Sequence, residues 1–179
     1  MSRSSKPKRP PKPLDPTRLR DLALHYVGKY ATSRAKLATY LNRKIPERGW
    51  AEGHPPSDIA ALVEDFSRLG YVDDAAFAAS RARSLTQRGY GLRRVNEDLR
   101  AKGIEEPHAA PAREESEAAK WNSADRFARR KRIGPYAPDT APPELRQKQL
   151  QAFLRAGHGF DLARAFVNAA PGEVVEPDA

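Results

Sequence analysis

Between residues 126 and 132, five of seven side chains are basic: Arg126, Arg129, Arg130, Lys131 and Arg132. A second group, Arg81, Arg83, Arg88, Arg93, Arg94, Arg100 and Lys102, is opposed locally only by Glu97 and Asp98. Cations in the last turn of a helix are favoured by its dipole, by about 0.3–1 kcal/mol each. That accounts for Arg88, Lys102 and Arg132 taken singly. It does not account for five basic residues in seven, a density that suits phosphate or an acidic partner surface. The expected contact residues for DNA or a protein partner are Arg88, Arg93, Arg94, Arg100, Lys102, Arg126, Arg129, Arg130, Lys131 and Arg132.

Residue types that do covalent chemistry are not arranged to do it. Glu64 and Asp65 lie on one helix flank, and Asp73 and Asp74 stand where a helix needs a cap, so capping and solvation explain the acidic cluster. His25, His54, His108 and His158 have no metal-ligand spacing, and His158 follows a helix-ending glycine, where it is expected to pack. Gly89-Tyr90-Gly91 lacks the preceding strand, the further glycines and the lysine of a phosphate loop. It reads as a helix stop and restart. No catalytic residues, no cofactor and no metal are expected, and the chain is read as a non-enzyme.

The 179 residues carry 32 Lys/Arg against 23 Asp/Glu, a formal charge of +9. Residues 1–20 hold seven Lys/Arg and one Asp, a local +6, and the end from Glu173 is acidic through Glu173, Glu176 and Asp178. Residues 21–172 therefore keep about +6, so basic surface belongs to the body as well as to the arm. Nucleic acid is the leading partner class. The chain has no cysteine, which excludes disulfides and thiolate metal sites and fits a reducing cytoplasm. No run approaches the roughly 18 apolar residues of a membrane span, and the basic N-terminus lacks an apolar signal core, so a cytoplasmic protein without a membrane partner is expected.

The elements that must carry these cations are short helices. Gly70-Tyr71, Gly89-Tyr90, Gly103-Ile104 and Gly157-His158 each pair a glycine with a residue that can fold back on the last turn. Glycine takes the left-handed conformation at low cost, and the next amide then satisfies an orphan carbonyl. Apolar stripes fill the intervals: Leu19, Leu22, Ala23 and Tyr26; Leu37, Leu41 and Ile45; then Ile59, Leu62, Val63, Phe66 and Leu69. Ala75, Ala78, Ala82 and Leu85 follow, and then Leu92, Val95 and Leu99. Pro107 and Pro111 predict that a sixth helix is short or starts late, and a seventh is expected over 114–132. Helices at 144–156 and 160–169 complete the set.

Arg88-Gly-Tyr-Gly91 and Ala156-Gly-His-Gly159, each before a helix, suggest internal repetition at an offset of 68 residues. The expected organisation is a disordered basic, Pro-rich arm (1–16), three helical units (17–70, 71–117, 118–170) and an acidic flexible tail (171–179). The fold class is all-α, with tandem helix-turn-helix-like units.

The order of these elements resembles the RecX family, bacterial regulators of the RecA recombinase. The resemblance rests on Ser33-Arg-Ala-Lys-Leu-Ala-Thr-Tyr-Leu41 and Leu69-Gly-Tyr-Val-Asp-Asp-Ala-Ala-Phe77. It continues through Arg88-Gly-Tyr-Gly91, Leu99-Arg-Ala-Lys-Gly-Ile104 and Lys148-Gln-Leu-Gln-Ala-Phe-Leu-Arg-Ala-Gly157, spanning roughly residues 18–170. It implies tandem three-helix (helix-turn-helix-like) repeats forming an elongated curved body, and a monomeric protein that binds RecA filaments on single- and double-stranded DNA. Its implied effect is to limit recombinase, ATPase and co-protease activity in DNA repair and the SOS response. The basic N-terminal arm is additional to the family pattern. The residues alone also suit a helix-turn-helix transcription regulator that reads duplex DNA as a dimer.

Overall fold

The computed structural model describes residues 12–177 and divides into two compact units, with the boundary in the chain between Asp73 and Asp74. Among the described residues there are nine α-helices, one short 3-10 turn and a single isolated β-bridge, so the fold is all-α. No helix among them is long and apolar enough to cross a membrane.

The first unit holds α1 (Pro16–Lys29), α2 (Arg34–Arg48) and α3 (Ile59–Arg68). Its core is Leu14, Leu19, Ala23, Leu37, Leu41, Val63, Phe66 and Val72. Each helix starts on a side-chain cap. Asp15 accepts from the Arg18 amide at 2.8 Å, Ser33 from Lys36 at 3.2 Å and Asp58 from Ala61 at 2.9 Å. Glu64 pairs with Arg34, and Asp65 with Arg20 and Arg68, so the acidic flank is neutralised by ion pairs.

The first unit departs from the sequence expectation in two places. The arm expected to run through residue 16 ends sooner, since Leu14 is fully buried and forms a parallel bridge with Trp50. Its amide donates to the Gly49 carbonyl at 2.8 Å, and its carbonyl accepts from Ala51 at 2.8 Å. A lone leucine among prolines and lysines carries no periodic signal. Residues 1–11 of that arm lie outside the described residues. α2 carries Pro46 in its last turn and runs two residues past it to Arg48. Leu69 ends the α3 stripe in sequence, yet it is the cap residue and 48% exposed.

The second unit has two apolar clusters. α4 (Asp74–Gln87), α5 (Leu92–Ala101) and α6 (Glu106–Ala118) enclose Phe77, Ala78, Ala82, Leu85, Val95, Leu99, Ile104, Ala109 and Ala112. α7 (Lys120–Lys131), α8 (Pro143–Arg155) and α9 (Phe160–Asn168) contribute Phe127, Phe153, Phe166, Val167 and their small neighbours to the other. Tyr90 packs against both clusters. In α4 the stripe is shifted from the expected one: Phe77 is buried and Ala75 exposed. Arg81 of α4 clamps Asp98 of α5 through two bonds of 2.9 and 2.7 Å, which lower the Asp98 pKa and raise that of Arg81.

The sixth helix is neither short nor late. Pro107 sits in its first turn, where its missing N–H is no loss. Pro111 forfeits one hydrogen bond a turn further on. The single helix expected over 114–132 is two, broken at Ala119 with φ −94° and ψ 13°. The end of the chain is also not a free tail as far as residue 177. Gly172 donates to the Pro135 carbonyl at 2.9 Å, Glu173 accepts from the Ala170 amide at 2.6 Å, and Val175 packs on the second cluster.

All four Gly-X stops close in one way. The glycines have φ of 76°, 79°, 67° and 94°. Tyr71, Tyr90, Ile104 and His158 donate to Phe66, Leu85, Leu99 and Phe153 at 2.9–3.2 Å, each amide reaching the carbonyl five residues back.

Candidate nucleic-acid interface

The two Gly-X-Gly turns that look like a repeat in the sequence lie against each other in the second unit. The Gly91 amide donates to the Ala156 carbonyl at 2.9 Å, and the Arg93 amide to Gly157 at 3.2 Å. His158 closes the junction: its Nε2 lies 3.1 Å from the Gly89 carbonyl, with Phe127 and Phe153 around the ring. Burial pushes its pKa down to about 4, so at neutral pH the imidazole is uncharged and Nε2–H is the donor. A docked turn of this kind leaves little play, and it fixes Tyr90 beside α7.

Around Tyr90 the cations converge. The Arg88 guanidinium lies 5.6 Å from the Tyr90 ring centroid and the Arg130 guanidinium 5.9 Å, so the ring has two cations over it. Arg130 also donates to the Arg88 carbonyl and lies 5.5 Å from the Phe127 ring. Arg88 is steadied by a 3.2 Å bond from Nε to the Ser84 carbonyl. α7 aims its end residues here because Ser123, Ala124, Phe127 and Ala128 form its buried face. The result is an open cleft of about 420 Å3 lined by Tyr90, Phe127, Arg130, Lys131, Ala152, Arg155 and Ala156. Among the described residues no carboxylate lines it. An anionic ligand would find partly oriented guanidiniums with no competing acid, which is the chemistry of phosphate recognition.

The structure thus gathers Arg88, Arg130 and Lys131 from the ten expected residues and gives the others different surroundings. Arg93 binds the Leu154 carbonyl and lies 3.9 Å from Glu97, so part of its work is to fasten α5 to α8. Arg94 pairs with Glu97 at 3.3 Å. Arg129 lies over the Tyr136 ring at 4.5 Å, bonds its hydroxyl at 3.0 Å and sits 3.6 Å from Asp125. Asp125 in turn accepts from the Tyr136 hydroxyl and holds its pKa up. Arg100 and Lys102 lie toward the C-terminal end of α5, with Arg100 about 10 Å along the helix from Arg93 at 1.5 Å per residue. Arg126 and Arg132 are exposed, but neither lines the cleft.

Arg155 is the lining residue that the sequence does not single out. One basic residue in the last turn of α8 looks like an ordinary dipole partner, and only the docking of α8 against α7 gives it a role. Arg132 stands out in the sequence for its charge, yet its backbone is the more unusual feature. It alone among the described non-glycine residues has a positive φ, 53°, and it takes the place that glycine fills at the other stops. Ile133 accordingly donates to the Ala128 carbonyl at 3.0 Å. Arg132→Gly should therefore raise stability by roughly 0.5–1 kcal/mol, the left-handed penalty less the extra chain entropy of glycine. Urea denaturation checks this, and an unchanged or lowered midpoint would mean that the arginine side chain repays its strain.

Known proteins share both the sequence pattern and the fold. A family model described as RecX, second three-helix domain, matches residues 73–112. The regulatory protein RecX of Myxococcus xanthus is 34% identical over 175 residues, covering 92% of this chain and 91% of that protein. That of Halorhodospira halophila is 30% identical over 152 residues, 85% of this chain and 88% of its own. The crystal structure of RecX from Lactobacillus salivarius superposes with a TM-score of 0.59 at 18% identity, over 84% of this chain and 93% of that one. A second crystal structure, of a regulatory protein RecX, gives 0.61 at 19%, over 82% and 68%. The two superpositions bear on the fold alone.

Proposed function

The chain belongs to the RecX family of regulatory proteins, and from that premise we propose that it binds RecA-type recombinase filaments on DNA and restrains them. It lowers strand exchange, ATP hydrolysis and co-protease activity during DNA repair and the SOS response, in the cytoplasm. The observation that carries this reading is the cleft around Tyr90, lined by Arg130, Lys131 and Arg155 and, among the described residues, by no carboxylate, with Arg88 over the same ring. Such a cleft suits the phosphates of filament-bound DNA or a carboxylate-rich face of a recombinase protomer. Nothing is chemically altered. Inhibition follows from occupying surface that an incoming duplex, a repressor substrate or the next protomer requires.

The test is a titration of the cognate RecA with this protein, reading ATP hydrolysis and strand exchange together. Both rates should fall with increasing protein, and a variant with Arg88, Arg130, Lys131 and Arg155 changed to glutamine should need far more protein for the same effect. Unchanged recombinase activity, together with tight binding of one operator-like duplex, would make the chain a helix-turn-helix regulator instead. Unchanged activity with no DNA binding would make it a protein scaffold.

A further inference from the structure

The first unit carries an exposed aromatic ring, Tyr30, and cations that neither its core nor the cleft of the second unit uses. Tyr26 lies on α1, Tyr30 caps that helix one turn later, and Tyr40 faces them from α2. The Tyr26 and Tyr40 rings stack with centroids 4.0 Å apart and planes inclined by 15°. Tyr30 lies against Tyr26 at 5.3 Å and 51°, and it is 50% exposed. Its place explains the exposure. The α1 stripe that enters the core ends at Tyr26 and Val27, and Tyr30 is the cap residue, with extended backbone at φ −133° and ψ 126°.

The cations follow the rings. The Lys29 ammonium lies 5.4 Å from the Tyr30 centroid, and Arg43 and Lys44 lie 5.9 and 5.8 Å from that of Tyr40. Glu47 pairs with both Arg43 and Lys44, which leaves three cations against one carboxylate, a local +2. An exposed ring bordered by ammonium and guanidinium groups is poorly suited to an apolar protein face. It is well suited to a planar, electron-rich group attached to an anionic backbone.

We propose that the Tyr26–Tyr30–Tyr40 face of the first unit is a stacking platform for unpaired bases of single-stranded nucleic acid. Tyr30 is the residue that meets a base, because Tyr26 and Tyr40 already use one face of each ring on the other. Lys29 and Arg43 meet the flanking phosphates, and Lys29 can swing there because its stem is flexible. Every base has a π face, so the platform is tolerant of sequence. Duplex DNA keeps its base faces covered by stacked neighbours, so it gains only the charge contribution. The proposal rests on the first unit alone and stands without the cleft.

The experiment uses the full chain and three fluorescent probes of about twenty nucleotides: oligo(dT), oligo(U) and a duplex. Tyr30→Ala should weaken both single strands roughly tenfold, leave the duplex unchanged, and leave the salt dependence of binding unchanged, since stacking rather than charge is removed. Lys29→Gln should instead flatten the single-strand salt dependence by about 0.7. Tyr30→Trp should keep the affinity, and its added indole should be quenched when oligo(dT) binds. A weakening confined to one of the two single strands would identify DNA or RNA as the natural source. If Tyr30→Ala bound single strands like wild type, or weakened duplex and single strand equally, the platform would be a protein contact or an ordinary helix edge. If the alanine variant melted early, the absence of indole quenching in Tyr30→Trp would overturn the proposal by itself. A cleft variant should lower duplex and single-strand binding together, so failure of one site is distinguishable from failure of the other.

Discussion

Gly91→Ala should destabilise the 74–179 unit by about 3–4 kcal/mol, while Gly159→Ala should leave it within roughly 0.5 kcal/mol of wild type. In the sequence the two glycines hold equivalent places, each closing a Gly-X-Gly run and opening a helix. Both have ordinary negative φ, −82° and −66°, so backbone conformation does not separate them. Space does. A Cβ on Gly91 would lie 2.3 Å from the Gly157 carbonyl oxygen and 2.6 Å from the His158 nitrogen, whereas one on Gly159 meets nothing within 4 Å. The obstructing atoms are backbone and cannot rotate away. Separating the turns stretches the Gly91-to-Ala156 and Arg93-to-Gly157 hydrogen bonds and lifts His158 from the Gly89 carbonyl. The bonds are weakened rather than lost, at a cost of about 1–2 kcal/mol in all, and overpacking adds about 2 kcal/mol. Trp121 lies in the affected unit and Trp50 in the other, so Trp121 fluorescence in a Trp50→Phe background follows the transition of interest. Equal costs at the two glycines would show that the turns do not dock.

The same pair of turns shows what a sequence can and cannot reveal. Helix stops at Gly70, Gly89, Gly103 and Gly157 are legible because the motif is local. One glycine and one following residue settle it, whatever the rest of the chain does. The stripe through Val63 and Phe66 is legible for a similar reason, since a helix with only one apolar face has only one way to pack. The likeness of residues 88–91 to 156–159 suggests repetition, but the physical consequence is contact between the two copies, and no periodicity encodes that. Leu14 stands alone and Val174-Val175 is a lone apolar pair, too short to form a pattern, yet Leu14 and Val175 each find a cluster once the helices have assembled. Proline misleads at positions 107 and 111 because its cost depends on its place. In the first turn it costs nothing, and composition alone does not say where the first turn is. The basic residues follow the same logic. Their number is plain from the sequence. Which of them are committed to Asp125, Glu97 or a carbonyl, and which face an open cleft, depends on how α7 and α8 meet.

That division gives the second large effect. Changing Arg88, Arg130, Lys131 and Arg155 together to glutamine should flatten the salt dependence of duplex binding by about 3–4, at roughly 0.9 for each phosphate no longer neutralised. At about 0.15 M salt the affinity should fall by about two to three orders of magnitude, and similarly for duplexes of different sequence, because backbone contacts carry no base information. Arg129→Gln provides the contrast. Its charge is already shared with Asp125 and its plane lies on Tyr136, so its removal should leave the salt dependence nearly unchanged. The four side chains differ in how much structure they also support. Lys131 and Arg155 lie at the surface, and ion pairs there contribute little to stability. Arg130 in addition holds the Arg88 carbonyl and covers two rings, so its replacement costs some stability. Melting curves run beside the titrations separate the two effects, and the Lys131–Arg155 double variant, expected to show about half of the flattening with an unchanged melting temperature, isolates charge from folding. A well-folded quadruple variant that binds DNA with the wild-type salt dependence would reduce the cleft to a solvated face. The seat of phosphate recognition would then have to be sought among Arg94, Arg100, Arg126 and Arg132.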